Sequence, residues 1–361
     1  MTDLKEVYHP GCYIEDSIEA LGMTQSEFAA RVGLSVKTIS QLISGDANVT
    51  FETANKLSDF FHTSIDLWLN LQTKYNIYLL KLKEQELLEE EWKIIKYFDK
   101  EYLQNICNCE ISKENISLVL IKLKECFMVT SLVNLKKKDM FSFLRISAKK
   151  ELDEKQIVLR NAWISYAMYL AKKISCNEFS STKLKETLPL IRSLIKEQPK
   201  TFIPALTKYL REAGIKFIYL PYLKGSNISG VTRWIMSDNS IMIAVNDYGK
   251  DLDKMWFSIF HELGHAVRIN KRNVIITTID NCETDEEKLV DEFARNQLIN
   301  KQVYEVFINK KDFSIAAITE FSKEIDLPVF MIIGRLQKDG FLNWNELNEY
   351  KVKYCNNVWN R

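Results

Sequence analysis

The sequence predicts a mainly α chain ending in an α+β domain: an amino-terminal helix-turn-helix, a helical connector, and a carboxy-terminal domain with a small antiparallel sheet. Three observations carry this. Short apolar-periodic stretches punctuated by glycine occupy the first 75 residues. A long run with three- and four-residue apolar spacing and almost no proline or glycine follows. Short β-rich runs separated by turn clusters begin near residue 200. These shifts place the boundaries at 1–75, 76–195 and 196–361.

In "MTQSEFAARVGLSVKTISQLISG", Thr24 is placed to cap a helix whose apolar residues Phe28, Ala29 and Val32 share a face, and Gly33 suits the turn that ends it. Ser35 is placed to cap a second helix. There Ile39, Leu42 and Ile43 point inward, while Lys37, Thr38 and Gln41 point out. Two such helices joined by a glycine turn form a helix-turn-helix, whose second helix offers its first residues to the DNA major groove.

From "HPG" at 9–11, through that stretch, to "IDLWLNLQTKY" at 65–75, the segment resembles the XRE-type helix-turn-helix of HigA-like antitoxins. The resemblance implies a homodimer that binds operator DNA. It would put Ser35, Lys37, Thr38 and Gln41 at base edges or phosphates, with Gln25 on the DNA backbone. Charge works against this partner: residues 1–75 hold five Lys/Arg against ten Asp/Glu, a net of −5. Affinity for a polyanion must then come from local positions.

The connector opens with "YLLKLKEQELLEEEWKIIKYFDK", an amphipathic helix by its spacing. Residues 76–200 carry 23 basic against 17 acidic side chains, a net of +6. Lys136, Lys137, Lys138, Arg145, Lys149 and Lys150 cluster around Phe141 and Phe143, either as a solvated face or as a nucleic-acid contact. The seven cysteines are odd in number, scattered and without a C-x-x-C pair, which suits reduced thiols. The first residues, "MTDLKEVYHPG", show no basic region followed by an apolar run, and no later stretch approaches membrane-spanning length, so the expected location is the cytoplasm, with no membrane partner.

"KFIYLP", "ISGVTRWIM" and "SIMIAVN" read as the strands of the sheet, and "DLDKMWFSIFHELGHAV" as a helix that Asp251 or Asp253 can cap. On it His261 and His265, two of only four histidines in the chain, lie four apart with Glu262 beside them. Both imidazoles then project from one face and can share a cation. Chance H-E-x-x-H in such a chain has odds of roughly 0.003 if residues are independent. Zn²⁺ suits two neutral imidazoles and keeps a position open for water, whose proton Glu262 would take as general base. A third ligand is needed. In "ETDEEKLVDEFARNQLIN", Glu287 and Asp291 share a helix face, so Glu287 could ligate and Asp291 could orient a histidine through its ring N–H. Glu286 and Glu292 are rivals, and Thr284 with Glu287 also spells a capping box.

"GVTRWIM", "WFSIFHELGHAV", "EKLVDEFARNQLI" and "FSIAAITEFSKEIDLPVFMIIGRLQKDGFL" together resemble the ImmA/IrrE family of zinc metallo-endopeptidases, over roughly residues 190–345. The resemblance implies a zincin-like domain. Aligning its usual E-x-E-A-(N/D)-x-F-A on Asp291, Phe293 and Ala294 makes Glu287 the third ligand. The chain departs from the pattern at Leu289, in place of the second glutamate, and at Asn300, in place of a proline. By the same resemblance Arg233 and Trp234 lie on a strand that pairs with extended substrate, and Arg233 or Tyr248 would stabilise the oxyanion. Cys282 could tune zinc release on oxidation.

Two functions of different class remain open. One is a DNA-binding regulator whose peptidase domain cleaves a specific protein. The other is a non-proteolytic antitoxin or repressor whose metallopeptidase-like domain senses a ligand or binds a cognate toxin.

Overall fold

The computed structural model describes residues 7–112, 114–141, 144–146, 152–269, 274–279 and 284–353. The chain divides into two compact units, residues 1–92 and 93–361, so the stretch 76–195 is shared between them.

The first unit contains α1 (Pro10–Ala20), α2 (Gln25–Val32), α3 (Val36–Ile43), α4 (Phe51–Phe61) and the start of α5 (Ile65–Ile95). Each start is set by a polar cap. Thr24, Ser35 and Thr50 accept the amides of Glu27, Thr38 and Thr53, each worth about 1 kcal/mol. Gly33 ends α2 in the left-handed conformation, at φ 67°. Ile14, Phe28, Ile39, Leu42, Leu57 and Trp68 form the core. "HPG" has a local cause: His9 Nδ1 accepts from Gly11 N at 3.0 Å, Pro10 opens the helix, and Gly11 lets α1 approach α3. A Cβ on Gly11 would stand 1.9 Å from the Leu42 carbonyl oxygen.

The second unit begins with α6 (Lys100–Cys107), α7 (Ile116–Phe127), strand β1 (Leu144–Ile146) and α8 (Glu154–Ala171). Then come α9 (Ser181–Ser193), α10 (Pro199–Glu212), β2 (Ile215–Leu220), β3 (Ile228–Ile235), β4 (Ser240–Asn246) and α11 (Leu252–Arg268). It ends with β5 (Val274–Thr278), α12 (Asp285–Leu298), α13 (Lys301–Asn309), α14 (Ile315–Glu324) and α15 (Val329–Lys338). Among the described residues, five strands form one sheet in the order β1-β5-β3-β4-β2.

The sheet is mixed, which corrects the expected antiparallel one. β3 runs antiparallel to both β4 and β5, but β2 pairs parallel with β4 and β1 parallel with β5. Apolar runs and turn clusters mark strands without giving their direction. The segment "YLKGSN" does not close a hairpin; it carries the chain past β4's position to β3. β4 is buried along its whole length, which accounts for its unbroken apolar run.

α11 packs on the sheet, with Trp256, Ile259, Phe260 and Leu263 fully buried in the unit's main core. Asp251 holds the cap position of α11 without a side-chain cap bond; it pairs with Lys254 at 3.0 Å instead, and Asp253 with Lys351 at 3.0 Å. Among the described residues, no helix is long and apolar enough to cross a membrane.

Candidate metal centre and DNA-reading helix

α11 and α12 build the candidate metal centre together. Gly264 lets them approach closely: a Cβ there would stand 2.9 Å from Phe293 Cδ1 and 3.0 Å from Val290 Cγ1. The glycine therefore makes room for the second helix. Thr284 caps α12 through the Glu287 amide at 3.2 Å, and the Glu287 carboxylate meets the histidines. Its Oε2 lies 3.2 Å from His261 Nε2 and its Oε1 3.5 Å from His265 Nε2. The two Nε2 atoms are 3.0 Å apart. Ligand atoms of His261, His265 and Glu287 all fall within 4.8 Å of one another, and all three residues are buried.

This donor set fits a cation. His261 Nδ1 faces Asp291 Oδ1 at 2.8 Å, so with its N–H donated there its Nε2 offers a lone pair to the centre. His265 Nδ1 is buried without a hydrogen-bond partner. Two imidazole nitrogens and a carboxylate converging away from water require a positive charge among them, and two neutral histidines with one carboxylate suit zinc. In the metal-free chain a proton on His261 meets that need, and a cation taking its place would find both imidazoles neutral. Burial opposes charge on His261, but hydrogen bonds with Asp291 and Glu287 outweigh it and push the ring up to about 10. Burial and the neighbouring His261 hold His265 down at about 4.

Glu286 and Glu292 are not brought to the cluster, and Glu292 pairs with Lys301 at 3.3 Å. Leu289 is 53% exposed, so the position where a second glutamate was expected from the resemblance falls on the solvent side of α12.

Glu262 lies under the cluster, against the sheet. Thr232 Oγ1 of β3 donates to its Oε2 at 2.6 Å, and Thr277 Oγ1 of β5 to its Oε1 at 2.7 Å. Burial pushes its carboxyl up to about 7, against the pull of His261 and the two threonines. Gly230 leaves the space it occupies, since a Cβ there would stand 2.2 Å from Oε1. The sequence reading missed this support, although Gly230 and Thr232 sit two apart in "GVTRW" and so share a sheet face.

That alternation also corrects the role expected of Arg233. Being the next residue on β3, it points to the other face, where its Nη1 donates to Met168 Sδ at 2.8 Å and its guanidinium lies over Phe141. The structure does not bring its guanidinium to Glu262. Nor is β3 free to pair with a substrate strand, because β4 and β5 occupy both its edges. Tyr248, in contrast, borders a cavity of ≈ 250 Å³ that also meets His261 and Glu262, with Phe257, Met331 and Trp344 among its walls. Its ring packs edge-on against Tyr222 at 4.9 Å. Cys282 lies outside the described residues.

In the first unit, Gln25, Ser35, Lys37 and Gln41 are exposed and Thr38 is half-buried. Ser35 and Thr38 bond each other through their hydroxyls at 2.7 Å within the α3 cap. Lys37 and Gln41, one turn apart, thus project freely from the face opposite Ile39 and Leu42.

The helix-turn-helix family model matches residues 14–68. The chain is 37% identical over 68 residues to an uncharacterized HTH-type transcriptional regulator, YddM, of Escherichia coli strain K12, covering 19% of this chain and 72% of that protein. A solved structure of a putative antidote protein of a plasmid maintenance system from Nostoc punctiforme is 30% identical, over 24% of this chain and 94% of that one, with a TM-score of 0.24. An addiction module antidote protein of a HigA family from Coxiella burnetii is 26% identical, over 24% of this chain and 95% of that one, with a TM-score of 0.23.

Proposed function

Through its amino-terminal segment the chain belongs to the helix-turn-helix transcriptional regulators, and from that premise we propose an operator-binding regulator whose second unit is a zinc-dependent endopeptidase acting on a regulatory protein. α3 is the reading helix, with Lys37 and Gln41 as its reaching side chains and Gln25 on the DNA backbone. The acidic balance of the unit leaves few phosphate contacts, so a dimer on two half-sites suits it better than a single copy.

The enzymatic half rests on one observation: His261, His265 and Glu287 converge beside the buried, threonine-held carboxylate of Glu262. Zinc, when bound, supplies Lewis acidity that polarises a carbonyl and brings the pKa of water towards ~7. His261 and His265 hold it as neutral imidazoles, Glu287 adds one negative charge, and Asp291 fixes the ring of His261. Glu262, with its carboxyl near 7, can both accept a proton and return it to a leaving amine. A cation site needed only for folding has no use for such a group. The neighbouring cavity, walled in part by Phe257, Met331 and Trp344, leaves room for part of a peptide segment.

The test is co-expression of the zinc-loaded chain with candidate repressors and toxins, comparing wild type with Glu262→Gln. The reading expects one partner to be cut by wild type and spared by the variant. Stoichiometric zinc with every candidate intact would assign the second unit to sensing or toxin binding instead.

A further inference from the structure

We propose that the peptide cleft carries an anion subsite, formed by Arg295, Arg335 and Lys338, that takes an acidic side chain of the protein being cut. The inference rests on the proteolytic reading for its biological meaning, but its test does not.

The smaller cavity, which meets His261 and Glu262, adjoins a larger one of ≈ 890 Å³. Among the described residues, the charged side chains lining both are Arg295, Arg335 and Lys338, and all three are cations. A chain running from the metal centre into the larger cavity passes between them. Helix spacing puts them there. Glu287, Asp291 and Arg295 repeat every four residues along one face of α12 as ligand, orienting group and cation. Arg335 and Lys338 are three apart on α15.

The cations exceed the acids that bond them. Asp339 accepts from Arg335 Nε at 2.5 Å and from the Tyr304 hydroxyl at 2.9 Å, and Arg295 Nη1 stands 4.0 Å away. Lys338 is exposed and makes no ion pair among the described residues. Arg295 Nε is buried with no hydrogen-bond partner. Asp291 feels both charges but bonds His261, which leaves Arg295 Nε and the Lys338 ammonium without an acid bonded to them. A carboxylate entering between them would satisfy Arg295 and pair with Lys338.

Distance sets the register. Eight residues of α12 separate Glu287 from Arg295, about 12 Å at 1.5 Å per residue. An extended peptide advances about 3.3 Å per residue, so with the reach of the arginine the acid falls about two to four residues from the bond that breaks. The intervening wall includes Phe257, Leu298, Ile299 and Met331. The segment recognised is therefore apolar at the bond and acidic just beyond it.

Fluorescence anisotropy on the zinc-loaded full chain carrying Glu262→Gln tests this without cleavage. The probes are two pools of fluorescein-labelled octapeptides with apolar residues at the four central positions, followed by glutamate in one pool and glutamine in the other. The subsite predicts about tenfold tighter binding of the glutamate pool, an advantage that shrinks several-fold in Lys338→Ala and inverts in Lys338→Glu, with zinc content unchanged. Equal affinity of the pools, no binding of either, or a preference that survives Lys338→Glu would overturn the inference. Digestion of the same pools by wild type judges the other claim: a charge preference with no peptide cut would sink the endopeptidase reading and leave the subsite standing.

Discussion

Asp291 Oδ1 stands 2.8 Å from His261 Nδ1, while the opposite nitrogen of the same ring stands 3.0 Å from His265 Nε2. One carboxylate thus decides which nitrogen of His261 is available to a metal. Removing it in Asp291→Ala should weaken zinc binding by about 10- to 100-fold, measured by competition with a chromophoric chelator. Unchanged affinity would mean that the helix alone orients the ring.

Gly230 separates metal binding from proton transfer. In Gly230→Ala the new methyl meets Glu262 Oε1 and displaces the carboxylate from its threonines, the three atoms nearest to it all belonging to Glu262. Cleavage should fall by about 10²-fold or more, while zinc affinity stays within a few-fold. Equal losses of both would show that the variant had disturbed the whole site.

Much of the site was legible because helices repeat: the four-residue spacings in His261/His265 and Glu287/Asp291 put each pair on one face whatever surrounds it. Caps at Thr24, Ser35 and Thr284 were legible for a similar reason, being local. Strand direction, the partners of Glu262 and the side on which Arg233 falls depend on which strands meet, which no local period encodes. The basic pair on α15 lies more than forty residues beyond Glu287 in sequence and reaches the cleft only through packing.

Close approach of α11 and α12 makes Gly264 a structural requirement of the centre. Gly264→Ala favours the helix locally but presses on Phe293 and Val290, and overpacking of this kind costs about 1–3 kcal/mol. Urea denaturation of the metal-free chain should show that loss for the second unit. A gain in stability would mean that the two helices separate easily.

On the DNA side, Lys37→Ala and Gln41→Ala should each weaken binding to the upstream promoter by about 1–3 kcal/mol in gel-shift titration at fixed salt. Both side chains are exposed, so neither change should alter the thermal unfolding of the first unit. Full binding by the double variant would place DNA on another face.

The central claim is that His261, His265 and Glu287 hold zinc, and metal content after dialysis tests it most directly. Wild type should retain about one zinc per chain. Glu287→Gln should lose it, while Glu286→Gln and Glu292→Gln should keep it. A Glu287→Gln protein that retains its zinc, or a wild type that never binds it, would contradict the account.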